Sequence, residues 1–421
     1  MIFFLLFSLK TQFPGIHYLC TTMAKKITDN VSWVGKTDWE LTSFHGNELS
    51  TSHGSSYNSY LLRGQSKTVL LDTVWGPYDS EFVARLKEEL PLDQIDAIVM
   101  QHNETDHSGA LAELLREIPD TPVYCTAKGE AILRGHYHQD WNFINVKSGD
   151  QLELGGGETL TFIEAPMCHW PDTMFSYYDG CGGILFSNDG FGQHYASESL
   201  FDDEVPECEV LAEAKKYYAN ILATYNPMVA RKVKEILGKN LALSMICPSH
   251  GIIWRRNPGK IIEKYLEWSD PTYAENQVTI VYDTMWNSTR LMAEAIARGI
   301  SAAAPGITVK LFNASKEDKN DILTEIFSSK AVLVGSPTIN YGYSYAMAGI
   351  LEMLKGLRLK GKKGAAFGSY GWSGEAAKQL AERLQEAGIE VVDEGIRNLW
   401  VPDAAALKAC EEYGKAFAEK I

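Results

Sequence analysis

Cysteine is scarce in this chain of 421 residues and follows no pairing pattern. The seven cysteines stand at positions 20, 125, 168, 181, 208, 247 and 410, and none forms a Cys-x-x-Cys pair. This spacing excludes an iron site with four cysteine ligands, and an iron–sulfur cluster built from paired motifs, within these residues. Scattered thiols indicate free cysteines in a reducing compartment, so we expect a cytoplasmic protein.

Positive charge and long apolar runs are also lacking. The formal net charge is -15 at pH 7, whereas a nucleic-acid surface needs clustered Lys and Arg, so we expect no nucleic-acid partner. The apolar run Ile2–Leu9 is too short to span a membrane and has no basic residue before it. We therefore expect no membrane span and interpret residues 1–22 as an extension outside the fold, with a weak export signal as the alternative.

The remaining chain is long enough for two domains. Short strands and helices alternate from Val31 to about Asp270, and a polar, turn-forming stretch at residues 269–276 reads as a linker. After it, strand–helix units repeat five times, which predicts a doubly wound parallel sheet. We predict an α/β protein with domains at 23–270 and 271–421. Individual predictions include a strand at Tyr57–Leu62, a helix at Val210–Leu237 and a strand at Glu390–Asp393.

Potential metal ligands crowd one loop. His102, Glu104, Asp106 and His107 lie between an apolar strand, Ile95–Met100, and an amphipathic helical pattern that begins at Gly109. Two imidazoles and two carboxylates within six residues suit a divalent metal, although a polar capping loop is the alternative. Isolated ligand candidates also follow later strands, namely Asp72, His169, Asp189 and His250. Side chains at strand ends are fixed by the sheet yet face open space, which favours a shared site.

These motifs resemble the diiron motif of the flavodiiron proteins. The matching segments are His102-x-Glu104-x-Asp106-His107, Cys168-His169-Trp170-Pro171-Asp172, Ser187-Asn188-Asp189 and Pro248-Ser249-His250-Gly251. The resemblance implies a metallo-β-lactamase-like αββα sandwich in the N-terminal domain. It also implies that His102, Glu104 and His169 hold one iron, that Asp106, His107 and His250 hold the other, and that Asp189 bridges them. Hydrolytic relatives have His where this chain has Glu104, and a carboxylate there favours iron over zinc.

Three loops of the C-terminal domain predict a flat, phosphate-bearing ligand. The loop after the first strand is rich in hydroxyls, opens a helix and has neither a Walker nor a Gly-x-Gly-x-x-Gly signature, which disfavours ATP and NAD. Together the loops resemble the FMN loops of flavodoxins and especially of flavodiiron proteins, which implies a flavodoxin-like sheet of order 2-1-3-4-5. The candidate FMN-binding residues are Thr284, Met285, Trp286, Asn287, Ser288, Thr289, Ser336, Pro337, Thr338, Ile339, Asn340, Tyr341, Ser369, Tyr370, Gly371, Trp372, Ser373 and Gly374.

The resemblance implies an oxidoreductase. Electrons from a separate carrier such as rubredoxin would pass through FMN to two irons and reduce dioxygen to water, nitric oxide to nitrous oxide, or both. A metallo-β-lactamase-type hydrolase with a regulatory flavodoxin domain is the alternative, and a non-catalytic electron carrier is a third reading. His45, His194, Tyr217 and Tyr218 are candidates for donating protons or hydrogen bonds beside the metals.

The resemblance also implies an assembly. A head-to-tail homodimer, alone or as a dimer of dimers, would place the flavin of one chain beside the metals of the other. Trp170, Trp372 and Tyr341 are candidate aromatics for that interface.

Overall fold

The computed structural model describes residues 24–421 and divides them into two α/β domains. The predicted extension at 1–22 lies outside the described residues. Within residues 24–421, no helix combines the length and the apolar character needed to cross a membrane.

Within the residues that the structure describes, the N-terminal domain contains sixteen strands and seven α-helices. The strands are β1 Lys25–Lys26, β2 Val31–Trp33, β3 Lys36–Asp38, β4 Ser43–Phe44, β5 Leu49–Ser50, β6 Ser55–Tyr57, β7 Tyr60–Arg63, β8 Thr68–Leu71, β9 Ala97–Val99, β10 Val123–Cys125, β11 Phe143–Asn145, β12 Gln151–Gly155, β13 Glu158–Glu164, β14 Met174–Tyr178, β15 Ile184–Asn188 and β16 Met245–Pro248. The helices are α1 Asp79–Glu89, α2 Thr105–Ser108, α3 Leu111–Glu117, α4 Ala127–Tyr137, α5 Glu207–Tyr217, α6 Asn226–Gly238 and α7 Pro258–Trp268. Short 3-10 turns lie at Gly76–Tyr78, Leu92–Gln94 and Ala223–Tyr225.

Two sheets face each other in this domain. One has seven strands in the order β1-β2-β7-β8-β9-β10-β11, and the other has five in the order β12-β13-β14-β15-β16. Successive side chains of β8 point to opposite faces: Val69 and Leu71 join the core between the sheets, and Leu70 joins the core beneath α1 and α3. Both faces of the sheet are therefore covered, which confirms the predicted αββα sandwich.

The C-terminal domain is a parallel sheet with helices on both faces. Its elements are β17 Glu275–Tyr282, α8 Ser288–Ala303, β18 Thr308–Asn313, α9 Lys319–Ser328, β19 Ser329–Gly335, α10 Tyr345–Leu357, β20 Lys363–Tyr370, α11 Ala376–Glu386, β21 Glu390–Val391, β22 Ile396–Leu399 and α12 Ala404–Ala418. The order β18-β17-β19-β20-β21, with every pair parallel, confirms the predicted 2-1-3-4-5 arrangement.

Three predicted elements are wrong in detail. The helix predicted at Val210–Leu237 is broken, because Pro227 starts a new helix and cannot continue the preceding hydrogen-bond ladder. A π-helical turn at Tyr218–Leu222 fills the break. The predicted strand at Tyr57–Leu62 is two strands in different sheets, since the backbone N–H of Asn58 bonds Ser249 instead of a neighbouring strand.

The third correction concerns the last strand, predicted at Glu390–Asp393. It consists of β21 and β22, both paired with β20. Gly395 lies between them with φ +79, where a Cβ would strike the carbonyl oxygen of Ala366 at 2.0 Å. Asp393 accepts a hydrogen bond from the Gly395 N–H at 2.8 Å and fixes the turn.

The two domains are packed together by an apolar cluster and a polar contact. Tyr218 and Leu222 of the N-terminal domain belong to the same buried cluster as Leu323 and Phe327 of α9. The predicted boundary between residues 270 and 271 falls between α7 and β17 and stays a prediction.

Candidate functional site

Four loops at one end of the sandwich converge on a single cluster. His102 follows β9, His169 lies between β13 and β14, Asp189 follows β15 and His250 follows β16. His102, Asp189 and His250 are no more than 1% exposed. The sheet ends therefore deliver side chains that are distant in sequence to one buried point.

Asp189 divides the cluster into two groups. Its Oδ2 lies 3.6 Å from His102 Nε2 and 3.3 Å from His169 Nε2. Its Oδ1 lies 3.1 Å from His107 Nε2 and 3.5 Å from His250 Nε2. Each carboxylate oxygen thus serves a different pair of imidazoles, as a bridging ligand between two metals would.

A further carboxylate joins each group. Glu104 Oε2 lies 3.5 Å from the Nε2 atoms of His102 and His169. Asp106 Oδ2 lies 3.2 Å from His107 Nε2 and 3.1 Å from His250 Nε2. Donors placed about 2.0–2.2 Å from one metal in tetrahedral geometry lie about 3.3–3.6 Å from one another. The separations in the first group, 3.3–3.6 Å, match that spacing, and those in the second group, 3.1–3.5 Å, lie close to it.

Hydrogen bonds behind the cluster orient two of the imidazoles. His102 Nδ1 donates to Asp172 Oδ1 at 3.2 Å, and His250 Nδ1 donates to the carbonyl oxygen of Ser56 at 2.6 Å. A carboxylate and a carbonyl can only accept, so each Nε2 presents a lone pair to the cluster. Asp172 is held in turn by the backbone and side-chain N–H groups of Asn103, both at 2.9 Å.

The cluster needs positive charge. His102 Nε2, Asp106 Oδ1 and Asp189 Oδ2 are buried and have no hydrogen-bond partner among the described residues. Burial alone would lower the pKa of His102, but Asp172 and Glu104 raise it well above its usual value. Burial likewise opposes the charged form of His107, but Asp106 and Asp189 raise its pKa to about 9. Protons or metal cations must therefore balance the carboxylates, and the donor set fits two iron ions.

The candidates for proton supply are placed unequally. His45 Nε2 lies 3.0 Å from Glu104 Oε1. His194 is buried, its ring lies 5.1 Å from those of His250 and Tyr217, its Nδ1 contacts Ser55 Oγ at 2.8 Å, and its Nε2 has no partner within the described residues. Burial, followed by the proximity of the His250 imidazole, lowers the pKa of His194 well below its usual value.

The expectation for Tyr218 requires correction. Its hydroxyl donates to Asn226 Oδ1 at 2.7 Å, and its ring packs on Tyr265 and Trp268, away from the cluster. Tyr217, one residue earlier, lies with its ring 6.2 Å from that of His250. Burial and then the charge of Asp189 raise the pKa of Tyr217 well above its usual value, so it remains a neutral hydrogen-bond donor. Neighbouring residues of a helix point in different directions, and only Tyr217 faces the site.

The C-terminal domain has a cleft of about 640 Å³ at the carboxyl ends of its strands. Of the residues predicted to bind a flavin, those that line the cleft are Met285, Trp286, Ser288, Pro337, Thr338, Asn340, Tyr341, Ser369, Tyr370, Gly371, Trp372 and Ser373. Several of its rings are open to solvent: Trp372 is 88% exposed, Trp286 81% and Tyr341 72%. Flat apolar walls of this kind suit an aromatic ring system.

The other predicted flavin residues do not line the cleft. Thr289 is buried and its Oγ1 contacts Ser369 Oγ at 2.8 Å, and Ser336 accepts a hydrogen bond from the N–H of Ser344. Asn287 begins helix α8 in the left-handed conformation, with φ 68. Thr284 Oγ1 is buried without a partner within residues 24–421. An unpartnered hydroxyl beside the N-terminus of a 16-residue helix fits a phosphate. Ile339 pairs with Gly342 in an isolated bridge, and Gly374 has φ +81.

Comparisons with known proteins agree with this geometry. The model of the ODP family beta lactamase matches residues 56–251, and the flavodoxin model matches residues 280–414. The chain is 49% identical over 399 residues to the anaerobic nitric oxide reductase flavorubredoxin of Klebsiella pneumoniae, covering 94% of this chain and 82% of the relative. The rubredoxin oxygen:oxidoreductase of Desulfovibrio gigas superposes with a TM-score of 0.90 at 36% identity, over 94% of this chain and 98% of that one. The flavodiiron protein of Giardia intestinalis gives 0.89 at 32% identity, over 94% and 96%.

This chain belongs to the flavodiiron protein family. It is therefore an oxidoreductase with FMN and a non-haem diiron centre as its cofactors. The ligand assignment within the chain stays a prediction.

Two features of this flavodiiron protein escaped the sequence reasoning. Asp172 ends the motif Cys168-His169-Trp170-Pro171-Asp172, but the sequence alone assigned it no contact with a histidine. Its position three residues after His169 was the available signal that it lies near the cluster. Trp400 and Val401 line the flavin cleft and are each 68% exposed. The apolar run Leu399-Trp400-Val401 immediately before a proline was the available signal for them.

Proposed function

We propose that this flavodiiron protein reduces nitric oxide to nitrous oxide and dioxygen to water, with electrons that pass through FMN. The observation that carries the proposal is Asp189, whose two oxygens face separate imidazole pairs. Two metals held so close can bind one diatomic molecule between them or one on each. The names of the relatives support both gases: one is a nitric oxide reductase and another an oxygen oxidoreductase. We place nitric oxide first because the more identical relatives carry that name.

The proposed ligands are the two groups described above. His102, Glu104 and His169 would hold one iron, Asp106, His107 and His250 the other, and Asp189 both. When bound, the irons supply electrons and a binding point for the gas. Asp172 and the Ser56 carbonyl keep the lone pairs of His102 and His250 aimed at the metals.

The residues around the cluster would supply hydrogen bonds and protons. Reduction of either gas consumes as many protons as electrons, so a donor beside the metals is required. We propose His45, which contacts Glu104, together with His194 and Tyr217, whose rings lie 5.1 Å apart. Of the two tyrosine candidates, Tyr217 is proposed for this role and Tyr218 is not. Changing Tyr217 to Phe is expected to slow turnover without loss of iron.

FMN would lie across the C-terminal cleft. Thr284, Ser288 and the N-terminus of α8 would hold the phosphate, and the rings of Trp372, Tyr341 and Trp400 would cover the isoalloxazine. The exposed aromatics also support a head-to-tail homodimer or a dimer of such dimers, in which the partner covers them. Trp170 is half-buried and packs on His102 with the rings 5.0 Å apart, so it supports that interface less.

A separate reduced carrier of the rubredoxin type would deliver the electrons. The printed names of two relatives, a flavorubredoxin and a rubredoxin oxygen:oxidoreductase, support this donor. Scattered free thiols support a cytoplasmic location.

Anaerobic stopped-flow spectroscopy tests the proposal. Reduced protein with full flavin and iron is mixed with nitric oxide or with dioxygen at matched concentrations, and reoxidation of the flavin is followed. Rapid reoxidation by either gas, with nitrous oxide or water as product, is expected. A protein that reacts with neither gas, yet hydrolyses ester or lactam substrates when loaded with zinc, would favour the hydrolase alternative.

A further inference from the structure

A cavity of about 320 Å³ between the two domains ends on the proposed diiron centre. His169 and His45 form its inner end. We infer that this cavity is the route by which a small, uncharged gas molecule reaches the metals. The inference rests on the proposed function. It also gives the flavodoxin domain a second role beside FMN binding, because that domain forms one wall of the cavity.

The walls come from both domains. Leu49 and Ile221 contribute from the N-terminal side, while Leu323 of α9 and Met353 and Gly356 of α10 contribute from the C-terminal side. Ile221 belongs to the π-helical turn Tyr218–Leu222, and such turns are frequent at functional sites. The route therefore exists only while the two domains remain packed.

Hydrogen bonds across the domain boundary fix the distance between the two walls of the cavity. The side-chain amide of Asn320, which is fully buried, donates to Asn220 Oδ1 and to the carbonyl of Glu48, each at 3.0 Å. Asn220 donates in return to Thr324 Oγ1 at 3.0 Å. Thr224 Oγ1 donates to the carbonyl of Gly356 at 2.7 Å. These bonds fix both sides, so the cavity is preformed.

The chemistry of the walls suits a neutral gas. Five of the lining residues are leucine, isoleucine or methionine, the others include uncharged asparagine, threonine and tyrosine, and Glu48 is the lone carboxylate among the residues that line the cavity. Apolar cavities take up small uncharged molecules such as xenon. A second cavity, of about 340 Å³, reaches the same cluster beside Glu104 and Asp106. With two carboxylates at its inner end, that second cavity suits protons and water better than a gas.

Gly356 allows the cavity to be filled without disturbing the fold. A Cβ added there meets nothing within 4 Å, and any other ordinary residue forms a helix better than glycine. We expect Gly356→Phe to reduce the second-order rate constant for reoxidation by nitric oxide several-fold, with Gly356→Ala in between. Gly349→Phe is the matched control, because Gly349 lies on the same helix, is equally open and does not line the cavity. Flavin content, iron content and flavin-to-iron electron transfer should be unchanged in all three.

Crystals of the protein pressurised with xenon provide a second readout that is independent of turnover. Xenon is expected in the interdomain cavity of the unaltered protein and of Gly349→Phe, but not of Gly356→Phe. Absence of xenon, together with an unchanged rate constant for Gly356→Phe, would overturn the inference while leaving the reductase activity in place. A proton-uptake defect in Gly356→Phe with normal gas kinetics would overturn it too, since the cavity would then carry water. Failure of the unaltered protein to reduce either gas would instead contradict the proposed function.

Discussion

The metal cluster and the flavin cleft differ in how far the folded chain completes them. At the metal cluster, His102, His107 and Asp189 are at most 1% exposed, and a second layer of hydrogen bonds fixes them. At the cleft, the largest contact surfaces are the exposed rings of Trp372 and Trp286. The first site is preorganised by buried side chains, whereas the second presents backbone and aromatic surface that a flat ligand must cover. We therefore expect the loss of a proposed metal ligand to abolish turnover, and losses at the cleft to be graded.

The largest effect is expected from Asp189→Ala. Both proposed iron sites lose their shared carboxylate, so iron should be lost from both and turnover should disappear, while FMN remains bound. Iron analysis and the flavin absorption spectrum measure the two outcomes. Asp29→Ala is the control, since the Asp29 side chain is 91% exposed and forms an ion pair with its neighbour Lys26. Retention of two irons by Asp189→Ala would contradict the bridging assignment.

A smaller but selective effect is expected from Asp172→Asn. An amide in place of the carboxylate places an N–H donor near His102 Nδ1 or Asn103, so His102 is no longer held with its lone pair on the metal. Loss of such a partner typically lowers metal affinity about 10- to 100-fold. Iron retained during chelator titration, with Mössbauer spectra to identify the site, measures the loss. The loss of iron should be confined to the site proposed to contain His102.

Asp202→Asn provides the comparison for that experiment. Asp202 is also a buried aspartate, but it accepts hydrogen bonds from the backbone N–H groups of Arg255 and Arg256 instead of a histidine. Asp202→Asn should leave iron affinity unchanged. Equal loss in both variants would mean that Asp172 acts only through general stability.

At the cleft, Trp372→Ala should weaken FMN binding without abolishing it. An aromatic contact contributes about 0.5–1.5 kcal/mol beyond its buried area, and the loss of that contribution raises the dissociation constant about 2- to 13-fold. Quenching of flavin fluorescence on titration of flavin-free protein measures the constant. Trp39→Ala, a 56% exposed tryptophan in the other domain, is the control. An unchanged FMN dissociation constant for Trp372→Ala would mean that this ring does not stabilise bound FMN and would assign it to the proposed dimer interface instead.

The two sites also differ in how well the sequence predicted them. The proposed ligands His102, His169, Asp189 and His250 were recognisable because each follows a strand, and strand ends fix where a side chain lies. The order of the C-terminal strands followed from the resemblance to flavodoxins. The sequence could not separate Tyr217 from Tyr218, because the distinction depends on the rotation of α5 before a π-helical turn that no periodicity indicated. The role of Asp172 depends on a contact across 70 residues, which local patterns do not reveal.

The finest distinction is expected between two threonines of the phosphate loop. Thr289 Oγ1 has a partner, Ser369 Oγ at 2.8 Å, whereas Thr284 Oγ1 is buried with none within the described chain. Thr289→Val should therefore cost the flavin-free protein about 1 kcal/mol of stability, and Thr284→Val should cost nothing, because no hydrogen bond is lost. For FMN affinity we expect the opposite order, with the larger loss in Thr284→Val, since Thr284 is the hydroxyl still free to bond the phosphate.

Both quantities can be measured on the same preparations. The urea midpoint of the flavin-free C-terminal domain within the full chain reports stability, and flavin titration reports affinity. A hydrogen bond to a charged group is worth about 1.5–3 kcal/mol, so Thr284→Val should weaken FMN binding about tenfold or more. If Thr284→Val instead lowered the urea midpoint and left FMN affinity unchanged, Thr284 would be part of the fold and the phosphate would be held by the backbone of α8 alone.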